Sequence, residues 1–194
     1  MLRCNARTLA LALVAACGCA SPPSSFYALE PVASRGPAAP VPQAVIVGPV
    51  SIPASVDRPE FVVRIAENQV RVDELNRWVS PLSDAIARTV STNLAALLGT
   101  PDVATAPLAN FQPVYRVTVD VQRFDSAPGE AASLDAVWVV RRTAGGSARS
   151  GRTTVSEPAQ GDGHGALAAA HSRAVATLSE DIAAAIRAEA ASTP

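Results

Sequence analysis

The side chains in this 194-residue sequence best suited to metal or covalent chemistry are its three cysteines and two histidines. Cys17 and Cys19 stand close together in Ala15-Ala16-Cys17-Gly18-Cys19-Ala20-Ser21-Pro22-Pro23. A zinc site takes about four N or S ligands, and no second cysteine pair lies downstream. A disulfide between residues so near in sequence would be badly strained. His164 and His171 lie far along the chain and have no carboxylates spaced with them as a ligand set. Gly161-Asp162-Gly163-His164-Gly165 reads as a turn that starts the last helix. A Gly-rich phosphate loop, a GxSxG elbow and an HExxH pair are all missing, and nothing marks a serine as a nucleophile. These residues predict no catalytic site, no metal site and no cofactor. What remains for the cysteines is attachment.

The residues before them support that reading. Arg3 and Arg7 are followed by the short apolar run Leu9–Val14 and then by small residues. This is the order of an export signal. The run is far short of the ~20 residues that cross a bilayer as a helix. Small residues leading directly into cysteine resemble the lipobox of bacterial lipoproteins, in which the cysteine sulfur takes a diacylglycerol and the signal is cut before it. Two registers fit. Val14-Ala15-Ala16-Cys17 has the better residues before the cut, whereas Cys19 has Gly18 directly before it and Ala-Ser-Pro after it. The expected lipid attachment is Cys19, with Cys17 as the alternative, so residues 1–18 form the signal. Several acyl chains hold a protein firmly, because each buried methylene contributes about 0.8 kcal/mol.

Composition narrows the classes further. With 48% hydrophobic residues, the chain can bury one full core. All the basic residues are Arg, and the net charge is −1. No concentrated basic face is present for phosphates, which argues against a nucleic-acid partner.

Residues 19–43 are rich in Pro, Ser and Ala and read as a tether, interrupted by one short strand at Phe26-Tyr27-Ala28-Leu29. The main domain is expected over 44–191, with 192–194 as a tail. Val45–Pro53 is an apolar strand bent at Gly48-Pro49. Phe61–Ile65 and Val70–Val72 flank a Glu-Asn-Gln turn and form a hairpin. Apolar residues at helical spacing (Ile86, Val90, Leu94, Leu97, Leu98) predict a helix from Leu82 that ends at Gly99-Thr100-Pro101. A second helix over about 165–191 carries the stripe Leu167, Val175, Leu178, Ile182 and Ile186. Between the helices, Val114–Phe124 alternates apolar and polar residues, and Leu134–Arg142 and Ala148–Glu157 complete an antiparallel meander. The expected fold is α/β of the α+β kind: one two-layer domain, a mostly antiparallel sheet with two long helices on one face.

Four pieces stand in a fixed order: Phe26-Tyr27-Ala28-Leu29, Arg58-Pro59 before a strand, Arg77-Trp78 with Pro81-Leu82, and Ser179-Glu180-Asp181-Ile182-Ala183 in the Ala-rich last helix. Together with the lipobox, this set resembles the ABC-type transport auxiliary lipoproteins, the paraquat-inducible protein C-like family. The resemblance implies a non-catalytic periplasmic lipoprotein, anchored through its lipid in the inner leaflet of the outer membrane. Its implied partners are a mammalian-cell-entry (MCE) domain protein with its ABC permease and ATPase, a system for lipid trafficking and envelope integrity. It also allows a homo-oligomer. Arg58, Arg77 and Trp78 become candidate partner-binding residues by their place in the motif, although Trp78 before Pro81 also suits a core anchor at a helix start. A lipoprotein that carries lipid cargo itself, and an envelope hydrolase, are the alternatives.

Overall fold

The computed structural model describes residues 22–34, 36, 38–107, 109–146 and 148–192. In chain order the elements are β1 (Ser25–Tyr27), β2 (Val45–Ser51), β3 (Glu60–Ala66), β4 (Gln69–Trp78), α1 (Leu82–Leu98), β5 (Val103–Ala104), β6 (Tyr115–Ala127), β7 (Ala131–Arg142), β8 (Ala148–Pro158) and α2 (His164–Ala191). Cys17 and Cys19 lie outside the described residues.

Two sheets form. The larger runs β5-β2-β6-β7-β8, with β2 parallel to its neighbours and β6, β7 and β8 antiparallel. Alternation decides its faces: Tyr115, Val117, Val119 and Val121 of β6 and Leu134, Ala136, Trp138 and Val140 of β7 are buried, whereas Arg116, Asp120 and Gln122 are exposed. Both helices cover the buried face. Leu82, Ile86, Val90, Leu94 and Leu98 of α1 and Leu167, Val175, Leu178, Ile182 and Ile186 of α2 are almost completely buried there. Each such side chain contributes roughly 1.5–3 kcal/mol. Ala170, Ala174 and Ala183, also buried, keep α2 close to its neighbours. Helix α1 stops where expected: Gly99 takes a left-handed conformation at φ 67° and its N–H donates to the Ala95 carbonyl.

The α+β class, the two helices and the meander thus match the expectation from sequence. One arrangement is finer than expected. The β3–β4 hairpin does not join the large sheet; with β1 it builds a second, three-stranded sheet in the order β1-β4-β3. Hydrophobic alternation fixes which face of a strand is buried, but not which sheet the strand joins.

The Pro-rich segment also differs from a free tether. From Tyr27 onward it is fastened across the helices. The Glu30 N–H donates to Ser172 Oγ of α2 at 3.0 Å, and the Ala33 N–H donates to Asn93 Oδ1 of α1 at 3.1 Å. Asn93 Nδ2 in turn donates to Ser179 Oγ at 3.3 Å, and the Val41 N–H donates to the Leu98 carbonyl at 2.9 Å. Leu29, just before the first of these anchors, is buried. Polar side chains inside the helix pair hold this strap, and the alternation of apolar residues does not reveal them.

Trp138 shows how closely the large sheet is packed. Its ring lies over Gly151 on the neighbouring strand, where an added Cβ would sit 2.2 Å from Cζ2. Trp138 Nε1 donates to Thr153 Oγ1 at 3.1 Å, and that hydroxyl donates to Asp181 Oδ2 of α2 at 2.6 Å. The Thr153 hydroxyl ties sheet to helix, and the Trp138 ring is fastened to it. Gly151→Ala therefore forces that ring aside and should lower stability by about 1–3 kcal/mol, read by urea denaturation. Adding Trp138→Leu to Gly151→Ala should shrink the Gly151→Ala penalty, whereas additive losses would mean the ring is not the obstacle.

Candidate functional site

Aromatic residues make up only 4% of the chain, yet Tyr27, Phe61, Trp78 and Phe124 meet at one place, together with both histidines. Tyr27 comes from β1, Phe61 from β3, Trp78 from the end of β4, Phe124 from β6, and His164 and His171 from the first half of α2. Phe61 and Trp78 stack with centroids 4.4 Å apart, and Phe124 and His171 stack at 3.8 Å with planes 8° apart. Trp78 meets Phe124 and His171 edge-on at 6.1 Å. Tyr27 and His164 close the group around Phe61 at 5.7 and 5.0 Å. Such pairs contribute roughly 0.5–1.5 kcal/mol each beyond burial. The small sheet is joined to the large one and to α2 through these rings.

Local chemistry positions each ring. Tyr27 Oη donates to Asn76 Oδ1 at 2.8 Å, the Trp78 N–H donates to the Pro59 carbonyl at 2.7 Å, and the Val79 N–H donates to the Tyr27 carbonyl at 2.9 Å. Pro81 then precedes the first turn of α1 with an extended backbone. The expected motif pieces therefore converge: the Phe-Tyr strand, the Arg-Pro strand start and the Arg-Trp helix start build one junction. Trp78 is only 6% exposed. Arg77 is half-exposed; its Nε donates to the Glu74 carbonyl at 2.9 Å and its Nη2 lies 3.4 Å from Glu60 Oε1. Arg58 is exposed and makes no ion pair among the described residues. Sequence reasoning did not bring Phe124, His164 and His171 into this group. The scarcity of rings was the available signal, because a few aromatics in a chain of this composition are best buried together.

The histidines differ in environment. His164 Nε2 lies 3.2 Å from Asp73 Oδ2 on β4, without the alignment of a hydrogen bond. Burial pushes the Asp73 carboxyl up, but hydrogen bonds from Asn76 and the Leu75 amide, with the His164 charge, bring it below the usual carboxylate value. His171 is fully buried, its Nε2 is 2.8 Å from Ser126 Oγ, and its Nδ1 has no partner among the described residues. Desolvation lowers its pKa to about 3. A serine hydrolase needs an accessible serine and a group that orients the histidine; Ser126 is buried and no carboxylate meets His171 Nδ1 among the described residues. Nor do three His, Cys, Asp or Glu side chains come together as a metal site among those residues.

Surface hollows flank the strap. One of about 230 Å³ is lined by Leu29, Trp78, Val79 and Ala85, and a second of about 490 Å³ by Phe26, Val32, Ala168 and Ala169.

Against known proteins, the family described as "ABC-type transport auxiliary lipoprotein component" matches residues 27–183, and the chain belongs to that family. The match begins at Tyr27, the first ring of the junction. A crystal structure of a Xanthomonas campestris protein of the DUF330 family superposes with a TM-score of 0.70 at 22% identity, covering 82% of this chain and 93% of that one. A crystal structure of an uncharacterized protein gives 0.69 at 23% identity, covering 85% and 99%. These two share the fold. No curated protein matches the chain.

His171 makes stability depend on pH. Its folded pKa lies below the ordinary 6.5, so the unfolded chain binds a proton that the native protein refuses. Stability is complete above about pH 6.5 and falls as the pH drops from there toward 3. At pH 5 the loss should be about 2 kcal/mol relative to pH 7. His171→Phe, which keeps a ring, should remove that part of the difference between urea curves at pH 7 and pH 5. An unchanged difference would rule out a buried neutral His171.

Proposed function

We propose that this protein is a non-catalytic auxiliary subunit of an MCE-type ABC transport system, active in lipid trafficking and envelope integrity. It is anchored through an acylated Cys19, with Cys17 as the alternative, to the periplasmic face of the outer membrane. Membership of the transport auxiliary lipoprotein family over most of the chain carries this reading. The lipobox-like residues before Cys19 and the lack of an Asp after either cysteine favour the outer membrane over inner-membrane retention. A body of this kind suits docking better than turnover, because its Ser126–His171 pair is buried away from solvent.

Arg58 and Arg77 are the proposed partner contacts. Both adjoin Trp78, Arg58 through Pro59, whose carbonyl accepts the Trp78 N–H, and Arg77 as the preceding residue; Arg58 is exposed and Arg77 is held by Glu60 and Glu74. A partner would thus meet cations set on a rigid base, with little ordering cost at Arg77.

The test is a pull-down of residues 22–192 against the MCE-domain protein of the same organism. Binding is expected, weakened several-fold by Arg58→Glu and Arg77→Ala with folding unchanged by circular dichroism. Absence of binding in every lipid condition would overturn the partnership, and unaltered binding by both variants would remove the arginines from it. Palmitate labelling in cells should persist in Cys17→Ala and vanish in Cys19→Ala; loss only in Cys17→Ala would move the anchor.

A further inference from the structure

The β3–β4 hairpin lies with one face toward β6, where Arg64 near its turn pairs with Asp125, and leaves its other face in solvent. Its base is held by the aromatic junction, but Gln69, Val70, Arg71 and Val72 are all exposed, as are Ile65 and Ala66 across from them. Ile65, Val70, Val72 and Leu75 are 46%, 59%, 38% and 40% exposed and make up most of the large apolar side chains in solvent among the described residues. Apolar side chains gathered on one exposed face mark a contact.

The chain's own direction says what is there to be contacted. β1 pairs in parallel with the Trp78 end of β4, Ser25 opposite Asn76. Followed backward from Ser25, β1 therefore points toward the turn at Glu67-Asn68. From Asn76 to Val70 is six residues of strand, roughly 20 Å. Cys19 precedes Ser25 by the same six residues, a reach of at most ~21 Å. A lipid on Cys19 thus holds the domain close enough to the bilayer for the hairpin to touch it, and in that orientation the chain need not reverse. Attachment at Cys17 adds two residues to the reach and leaves the direction unchanged.

From this geometry we infer that the outer face of the β3–β4 hairpin, through Val70, Val72 and Leu75, rests on the surface of the bilayer that holds the protein's lipid; Ile65 faces the β6–β7 turn instead. The contact is interfacial. On the β1 side, β4 has no strand neighbour from Gln69 to Leu75 among the described residues, so its outward backbone groups need water or headgroups and cannot enter the hydrocarbon. Glu67 and Arg71 beside the turn are of opposite charge and both exposed, so apolar contact rather than attraction to anionic lipid drives it. The hairpin then fixes which side of the body faces the membrane.

This inference rests on the lipid anchor proposed above. The test uses the mature lipoprotein purified from cells and reconstituted in phosphatidylethanolamine vesicles with and without phosphatidylglycerol. A benzoylphenylalanine photo-crosslinker replaces Val70, Leu75 or Ser150, the last on β8 opposite Val139 at the far end of the large sheet. All three proteins should float with the vesicles. Positions 70 and 75 should give lipid adducts several-fold above position 150, independent of phosphatidylglycerol. Flotation without excess adducts at 70 and 75, or adducts there to a second copy instead of lipid, would overturn the hairpin contact while leaving the anchor standing. Failure to float would overturn both.

Discussion

The position of the small sheet depends on the stack of Phe61 against Trp78 and its contact with Phe124 and His171. The small sheet pairs no backbone with the large one, so its position is set by side chains. Rings suit such a boundary because they bury much area, lose little rotamer freedom and prefer defined angles. The ion pair between Arg64 of β3 and Asp125 of β6 adds a polar contact at the same boundary, but it is part-exposed and such pairs contribute little alone. The boundary holds because five elements each supply a ring to it.

The junction also explains why the motif has its form. Tyr27, Phe61 and Trp78 look unrelated along the chain because loops and a strand separate them. In space they are neighbours, and Arg77, Pro59 and Pro81 are the residues that place them: Arg77 braces Glu60 and the Glu74 carbonyl, the Pro59 carbonyl accepts the Trp78 N–H, and Pro81 starts α1 immediately afterward. Transport partnership, if carried by Arg58 and Arg77, is built onto a scaffold that the rings make rigid. The strap and the hairpin extend that scaffold in two directions, the strap across the helices and the hairpin away from them.

Much of this was legible in the residues. Helical stripes gave both helices, because Leu, Ile and Val at that spacing have no other face to bury. Alternation gave β6 and β7, and Gly99 gave the end of α1. The rest was hidden for physical reasons. A strand's membership of one sheet or another is decided by long-range contacts, so the separate sheet of β3 and β4 left no local mark. The strap is held by Ser172, Asn93 and Ser179, polar residues whose burial runs against their usual habit. His171 sits at helical spacing between Leu167 and Val175 of the apolar stripe, so its spacing marked the burial against Phe124 that its polarity hid. At the site, the motif brings Arg77 and Trp78 to the ring junction and Arg58 beside it, but carries no mark of the ring contacts that organise it.

The most direct test of this account is native-state hydrogen exchange of the wild type and of Trp78→Ala. If the rings hold the small sheet in place, the variant loses protection first and most in β1, β3 and β4, while β6, β7 and the centre of α2 exchange only as fast as the lowered global stability requires. Equal loss of protection in both sheets, or none in the small one, would contradict it.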